Sequence, residues 1–487
     1  MNCKNFGAAV RVVLRKVKPY LSNKKVLISI GAVAALLLIV GIISSIAVSG
    51  NGYIKLKQTT AVIPIKNHLG IVVDSKLLKD TIKSDYADST VYNLDGTVTA
   101  VLTDDDSLYV IKGKKLKKVA DDVKNFRMSV SGKGLVYCNE DDTLFLYTVK
   151  SGKTITITDA LYSTNFHISP DGKTVVYTVR EGDGADTMLF MGKKTAKLTT
   201  GDITVLGLSN GGRHIYAIGE NDGDTVLYSY NKKGEKRKLG NIDSETVRFN
   251  AEHTQVLFTN NGKTYISNKA KDSEKAASDN LRMVLPPNCQ SITSGSATTY
   301  PVTSLYDHVY CGEDAWLIQK NANKNVKLAS DVSACTLDAS GKYLYYIKDY
   351  EELQVLQVSK GEKAADKAVS LAEDISNFVV TSDRKLVYYI SDAGLYSING
   401  IKGGSSREIA SSDVDPYFLY LNAKDVVYYI MDEDAYACSN GKKGTRVVTD
   451  AIAITGTPNG SVLILTEDQL YGTMTRKKPK KLAEIDF

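Results

Sequence analysis

The sequence predicts an all-β protein assembled from repeated four-stranded antiparallel sheets, with a single transmembrane helix in front of them. Three observations predict it: a unit that recurs about every 40 residues, a nearly all-apolar second strand in each unit, and an uncharged run at residues 26–48. The chain has 487 residues, of which 43% are hydrophobic and only 9 are proline. This composition excludes a disulfide-stapled mini-protein and a globally disordered chain.

The net charge of +6 is concentrated in the first residues of the chain. Residues 1–25 hold seven Lys and Arg and no Asp or Glu, which leaves 54 basic and 55 acidic residues over 26–487. We predict that residues 1–25 form a basic cytoplasmic tail. A nucleic-acid-binding domain needs a basic face or stripe. Because the rest of the chain is nearly neutral, we predict no nucleic-acid partner.

Residues 26–48 contain no charged side chain. As a helix this run would be about 35 Å long, enough to cross a hydrocarbon layer of about 30 Å. A cleaved signal peptide is the alternative, because Ala47-Val48-Ser49 offers small residues to a peptidase. The apolar run is longer than that of an ordinary signal peptide. We therefore predict a retained signal-anchor helix at 26–48, followed by a polar linker at 49–59.

The cations around this helix predict its orientation. Seven precede it and three follow shortly after it, at Lys55, Lys57 and Lys66. By the positive-inside rule the N-terminus then lies in the cytoplasm. We expect a single-pass protein of the cell membrane with residues 60–487 outside the membrane.

The repeat fills the remainder of the chain. Its clearest unit has a strand from Phe166 and the turn Ser169–Lys173, then the apolar strand Thr174–Val179 and a third strand at Met188–Phe190. A Gly/Lys turn and a weak fourth strand complete the unit. Units of this order begin at Val91, Phe126, Phe166, Val205, Val247, Ala334, Phe378, Phe418 and Ile452. Residues 288–330 are a degenerate further unit, so we expect about 8–10 units.

The pattern restricts the architecture. A short strand that is apolar throughout is buried on both faces, and one small sheet cannot cover both of its own faces. Each sheet must therefore stack on its neighbours. Closing the stack into a ring leaves only short, protected edges. The sequence thus predicts a β-propeller over residues 60–487.

One turn motif resembles a known family. Ser169-Pro170-Asp171-Gly172-Lys173, followed by Val-Val-Tyr, is similar to the repeat of TolB-type, WD-repeat-like propellers. Partial matches occur at Asp95-Gly96, Ser131–Lys133, Asp338–Lys342, Ser382–Lys385 and Pro458–Gly460. The resemblance implies the architecture and the binding of partners, and it assigns no individual site residue.

No catalytic, cofactor-binding or metal-binding residue is predicted. Gly207–Gly211 matches the nucleophile-elbow pattern G-x-S-x-G, but it occupies the first turn of a unit, where turn chemistry explains the glycines. The five histidines (His68, His167, His214, His253 and His308) form no zinc motif. Acidic turns such as Asp104–Asp106 lack a complete calcium loop and are expected to be solvated. No phosphate-binding loop or dinucleotide fingerprint is present.

Five cysteines follow the predicted helix, and an odd number cannot pair completely within one chain. We expect Cys138, Cys335 and Cys438 to be small buried residues. Cys289 and Cys311 flank the irregular stretch and either pair across it or remain free. We also expect residues 285–302 to form an insertion loop on one face of the ring.

These features favour a non-enzymatic, membrane-anchored, extracytoplasmic propeller that binds a protein or a cell-envelope component. The alternative is a hydrolase or lyase that acts on a polymer at the propeller channel, because a ring can assemble a site from residues far apart in sequence. A sensor is disfavoured, because a tail of 25 residues cannot hold a folded output domain.

Overall fold

The computed structural model describes residues 52–484, apart from 66–67, 244–245, 278–279, 321–323, 360–364, 393 and 458–459. The predicted tail and transmembrane helix lie outside the described residues. Within the described part, no helix is long and apolar enough to cross a membrane.

Eleven sheets follow one another along the chain, and we number them as blades 1 to 11. Blade 1 consists of β1 (Thr60–Ile65), β2 (His68–Val73) and β3 (Lys76–Leu77). Blade 2 consists of β4 (Ala87–Tyr92), β5 (Val98–Thr103), β6 (Leu108–Lys112) and β7 (Lys115–Ala120). Blade 3 consists of β8 (Val123–Met128), β9 (Gly134–Asn139), β10 (Leu144–Thr148) and β11 (Lys153–Thr158). Blade 4 consists of β12 (His167–Ile168), β13 (Thr174–Glu181), β14 (Gly184–Met191) and β15 (Lys194–Thr200). Blade 5 consists of β16 (Thr204–Leu208), β17 (Ile215–Asn221), β18 (Asp224–Tyr230) and β19 (Lys236–Asn241). Blade 6 consists of β20 (Val247–Phe249), β21 (Gln255–Asn260), β22 (Lys263–Asn268) and β23 (Glu274–Ala277).

Blade 7 is interrupted by a hairpin. It consists of β24 (Arg282–Met283), β27 (His308–Cys311), β28 (Ala315–Ile318) and β29 (Val326–Ala329), and β25 (Ile292–Ser294) and β26 (Ala297–Thr299) form the inserted hairpin. Blade 8 consists of β30 (Val332–Leu337), β31 (Tyr343–Lys348), β32 (Glu352–Gln357) and β33 (Val369–Ala372). Blade 9 consists of β34 (Ile375–Val380), β35 (Leu386–Ser391), β36 (Gly394–Asn399) and β37 (Arg407–Ala410). Blade 10 consists of β38 (Val414–Leu421), β39 (Val427–Met431), β40 (Asp434–Cys438) and β41 (Thr445–Val448). Blade 11 consists of β42 (Ala451–Gly456), β43 (Val462–Thr466), β44 (Gln469–Thr473) and β45 (Lys480–Glu484). Short 3-10 turns lie at Asn210–Gly212 and Ala365–Lys367.

Each blade is an antiparallel meander whose second strand is its most buried. All six residues of β5 are buried, and so are five of the six in β9. The fourth strands are mostly polar and exposed, as in β11. This difference confirms the predicted unit, with a nearly all-apolar second strand and a weak fourth strand.

The hydrophobic cores lie between successive blades and close the series into a ring. Val176 of blade 4 packs with Val205 of blade 5, and the same pairing recurs around the chain. The last interface joins Leu463 and Leu470 of blade 11 to Ile65 and Val72 of blade 1. Blade 1 also packs on blade 2. The protein is therefore an all-β propeller of eleven blades.

The blade number corrects the expected 8–10 units. The ten units found in the sequence correspond to blades 2 to 11. Blade 1 was missed because it has three strands, with only two residues in the last one, so it lacks the signature of the other blades.

The insertion also differs from the expected surface loop. Residues 285–302 contain the hairpin β25–β26, and β26 pairs in parallel with β20, the innermost strand of blade 6. The hairpin therefore reaches into the axial channel, where it contacts the inner strands of blades 2 to 5.

Candidate functional site

The meander sends alternate turns to opposite faces of the ring. We define the acidic face as the turns between second and third strands plus the connections between blades, for blades 2 to 11. The basic face comprises the turns between first and second and between third and fourth strands. Hydrogen bonds join the turns of one face to each other: Val123 N donates to Asp106 O (2.9 Å), and Ala451 N donates to Glu433 O (2.7 Å).

Charge is separated between the two faces. In the described part of the acidic face there are 27 Asp and Glu and no Lys or Arg. The described part of the basic face holds 23 Lys and Arg against 10 Asp and Glu. The basic face offsets only part of the negative charge of the acidic face, and basic residues elsewhere bring residues 26–487 to 54 basic against 55 acidic residues. The near-neutral total therefore does not exclude a basic face, and the absence of a nucleic-acid partner stays a prediction without that support.

Most carboxylates of the acidic face have no cationic neighbour. Those within ion-pair distance of a lysine on a nearby strand are Asp121, Asp142, Asp314 and Asp349. Some of the others accept hydrogen bonds from neutral neighbours, as Asp243 does from Gly262 N and Asp202 does from Thr178 Oγ1. The excess of carboxylates gives the acidic face a negative potential.

Carboxylates line a groove between blades 10 and 11. Its volume is about 570 Å³, and its walls hold Asp413, Asp415, Asp432, Glu433, Asp450 and Glu467, with Phe418 and Ile452. No described Lys or Arg lies within ion-pair distance of these six carboxylates. Arg446, which pairs with Asp434 beside the groove, also interacts electrostatically with Asp450. The groove therefore combines an excess of negative charge with an apolar wall.

The acidic face also carries exposed aromatic side chains. Tyr350 lies in a turn of blade 8 and is 83% exposed, and Tyr417 lies at the start of β38 and is 80% exposed. Tyr162 and Ile452 are exposed at the same face. Tyr86 is also exposed, but it lies in the connection from blade 1 to blade 2, which is outside the acidic face as defined and carries Lys79 and Lys83. Among the large hydrophobic side chains exposed in the described ring, the remaining one is Ile155, on an outer strand. Tyr is enriched in protein interfaces, where its ring supplies apolar area and its hydroxyl a hydrogen bond.

A second candidate site is a cavity of about 70 Å³ in the axial channel, between the inner strands of blades 2 to 6 and the hairpin. Arg127 donates from Nη1 to Ser294 Oγ (2.6 Å), and His253 Nε2 lies 2.8 Å from Thr299 Oγ1. No carboxylate lines the cavity. Burial lowers the pKa of His253 to about 3. It also holds the pKa of His167 well below its usual range, with Arg127 adding to the effect.

The remaining sequence candidates are structural. Ser209 Oγ accepts from His214 N (2.9 Å) and closes the turn between β16 and β17, so Gly207–Gly211 is turn chemistry as expected. His68, His167, His214, His253 and His308 do not come together as ligands. Within the described residues, no three His, Cys, Asp or Glu are grouped so that they could hold a metal ion.

Cys289 and Cys311 do not pair with each other, and both are free cysteines, which agrees with the second of the two alternatives. Cys289 is buried, and its Sγ lies 3.6 Å from Asn288 Oδ1. Cys311 Sγ lies 2.8 Å from Cys335 Sγ instead. Cys335, expected to be buried, is only partly buried, whereas Cys138 and Cys438 are buried as expected.

The sequence analysis missed the separation of charge and the exposed tyrosines of the acidic face. The signal was present, because Gly/Lys turns and Asp-rich turns alternate along the chain. It becomes visible only when the turns are assigned alternately to two faces.

Comparisons with known proteins assign no family to the chain. No family model and no curated protein matches the chain. Among solved structures, a eukaryotic initiation factor is similar at 12% identity and a TM-score of 0.41, covering 73% of this chain and 97% of its own. TolB from Acinetobacter baumannii has 10% identity and a TM-score of 0.27, covering 62% and 76%. An oligogalacturonate lyase in complex with manganese has 10% identity and a TM-score of 0.30, covering 69% and 94%. At these values the similarities carry no argument about activity or partner.

Proposed function

We propose that this chain is a membrane-anchored extracytoplasmic β-propeller that binds a cationic protein or cell-envelope component on its acidic face. The observation that carries the proposal is the composition of that face: 27 described Asp and Glu without one Lys or Arg. Such a surface attracts a Lys- or Arg-rich partner and repels acidic molecules.

Turn conformation alone does not account for the negative charge. Asp413, Asp432 and Asp450 lie at left-handed backbone positions with φ of 58°, 51° and 52°. Asn and Gly serve this conformation equally well, and Asn261 does so in blade 6 with φ of 49°. The repeated occurrence of Asp therefore adds negative charge, which the turn conformation itself does not require.

The exposed tyrosines support a macromolecular partner. Tyr350 and Tyr417 are more than three-quarters exposed. An acidic surface that only contacts water does not require such large exposed aromatic side chains. Tyr supplies apolar area to an interface and stacks with Lys or Arg of a partner. Acidic groups and aromatic rings on one face are thus suited to a cationic polypeptide.

The first residues of the described chain leave the acidic face free. Residues 52–58 run along the basic face: Lys57 N donates to Asp95 O (2.8 Å), and Gln58 Nε2 donates to Gly113 O (3.3 Å).

The alternative, a polymer-acting hydrolase or lyase at the channel, gains no specific support. The axial cavity offers no carboxylate, whereas glycoside hydrolysis ordinarily uses a pair of them. His253, with a pKa of about 3, is a poor general base at neutral pH.

The test is a pull-down with immobilised residues 50–487, which form one compact unit. One variant neutralises the acidic groove by Asp413→Asn, Asp432→Asn, Asp450→Asn and Glu467→Gln. The matched control removes four charges from the basic face by Lys402→Gln, Lys424→Gln, Lys442→Gln and Lys477→Gln. All eight side chains are exposed.

We expect one envelope component to be retained by the wild type and by the basic-face control, and lost by the acidic-groove variant. Equal retention by both variants, or loss with the control alone, would contradict the proposal.

A further inference from the structure

Cys311 and Cys335 lie opposite each other across the interface between blades 7 and 8. Cys311 is the last residue of β27, and Cys335 lies in β30, the innermost strand of blade 8. Their Sγ atoms are 2.8 Å apart, although the residues are 24 positions apart in sequence. Both side chains pack partly buried against the core shared by these blades.

This distance is short for two sulfurs that are not bonded to each other. A disulfide has an S–S length of about 2.05 Å, so the two atoms need to move together by less than about 1 Å. Because the cysteines belong to neighbouring sheets, a bond between them links two blades covalently.

The other three described cysteines have no such neighbour. Cys138, Cys289 and Cys438 are single buried thiols in separate cores or turns. Burial raises the pKa of the Cys289 and Cys438 thiols to about 12. Both remain protonated at neutral pH, and a protonated, buried thiol is inert.

A covalent link is useful at blade 7. Its innermost strand, β24, has only two residues, and the insertion that carries β25–β26 separates β24 from β27. Blade 7 therefore has a shorter inner ladder than blade 8, to which the link would join it. We propose that Cys311 and Cys335 form a disulfide that joins blade 7 to blade 8, and that the other three cysteines remain thiols.

The oxidation balances by exchange with a low-molecular-weight or protein disulfide. One cysteine thiolate attacks the external disulfide and releases one thiol, forming a mixed disulfide. The second cysteine attacks its protein-side sulfur and releases the second thiol. Two protein thiols lose two protons and two electrons, and the external disulfide becomes two thiols. The hydrogen bond with Cys335, together with burial, raises the pKa of Cys311, so exchange is expected to be slower than for an exposed thiol.

The experiment uses the full chain, folded and purified under reducing conditions, then exposed to glutathione disulfide. Remaining thiols are alkylated after unfolding and the peptides are mapped without reduction. We expect one linked peptide pair, Cys311 with Cys335, and alkylated Cys138, Cys289 and Cys438. The oxidised protein should melt a few degrees above the reduced protein, because the bond closes a loop of the unfolded chain.

Cys289→Ser is the matched control and should leave the linked pair intact, whereas Cys335→Ser should abolish it. Because the bond forms in protein that is already folded, a folding defect in a variant does not obscure the wild-type result. Alkylation of all six cysteines, Cys3 included, after prolonged oxidation, or a link between Cys289 and Cys311, would overturn the proposal. The proposal does not depend on partner binding, so its failure leaves the proposed function untouched.

Discussion

The two faces of the ring meet the same backbone requirement with different residues. Both consist of tight turns with left-handed positions. On the basic face these are mostly glycines, as at Gly172 (φ 75°) and Gly192 (φ 74°), with lysines beside them. On the acidic face they are mostly aspartates, as at Asp450 (φ 52°). Glycine supplies only conformation, whereas aspartate supplies conformation and charge together. The comparison shows how a repeat can polarise a ring while its net charge stays near zero.

The largest expected effect concerns a glycine of the basic face. A Cβ at Gly172 would lie 2.5 Å from Gly134 N of the neighbouring blade, and the backbone is left-handed. We expect Gly172→Ala to lower the free energy of unfolding by about 3 kcal/mol, since overpacking and strain add. Gly192→Ala is the control, because it has a similar φ but nothing within 4 Å, and it should lower stability by about 1 kcal/mol. Equal losses in urea denaturation would show that close packing of these turns is unimportant.

The next effect concerns charge. A decalysine peptide should bind residues 50–487 and dissociate as salt is raised, since exposed charges are screened. Neutralising Asp413, Asp432, Asp450 and Glu467 should raise its dissociation constant about tenfold, or about 1.4 kcal/mol. The four-lysine control on the basic face should bind as tightly as the wild type or more tightly. A titration in which both variants weaken binding alike would remove the distinction between the faces.

A third test uses the pH dependence of stability to examine the histidines buried inside the ring, apart from the charges on its faces. Burial depresses the pKa of His253 to about 3 and that of His308 to about 4. The unfolded chain therefore binds more protons than the folded one between these values and about 6.5. Stability is complete above pH 6.5 and falls as pH is lowered, by up to about 1.4 kcal/mol per pH unit for each histidine.

His253→Asn suits the left-handed backbone at this position (φ 52°) and removes one titrating group. Urea denaturation between pH 7 and pH 5 should show a shallower loss of stability in this variant than in the wild type. An unchanged slope would mean that His253 does not control the acid sensitivity.

The smallest expected effect is at an aspartate of the acidic face. Asp450→Asn keeps a residue that tolerates φ of 52° and removes only the charge. We expect the free energy of unfolding to change by less than about 0.5 kcal/mol. A loss of about 2 kcal/mol would show that the aspartates are there for stability, and the charge would need no partner to explain it.

Much of the fold was predictable from the sequence because its determinants are local. Apolar second strands such as Thr174–Val179 and turns such as Ser169–Lys173 specify a blade within about 40 residues. Blade 1 escaped because its short β3 lacks that signature. The parallel pairing of β26 with β20 was not predictable, since it joins an insertion to a strand of the preceding blade.

The candidate site was less predictable for physical reasons. The negative charge of the acidic face is offset along the chain by the basic face together with basic residues elsewhere, so the near-neutral composition concealed both faces. Tyr350 and Tyr417 are exposed, whereas Tyr388 and Tyr428 are fully buried. The difference depends on where each tyrosine lies in its blade, which the residue type alone does not reveal. The approach of Cys311 to Cys335 arises from packing between sheets.

The most direct test of the proposed function is photo-crosslinking in intact cells. A photoreactive phenylalanine analogue replaces Tyr350 or Tyr417 on the acidic face, and Lys402 or Lys442 on the basic face serves as the matched control. We predict that irradiation gives a discrete higher-mass protein adduct from positions 350 and 417 and none from 402 and 442. Adducts from the basic face alone would contradict the assignment of the acidic face as the binding surface.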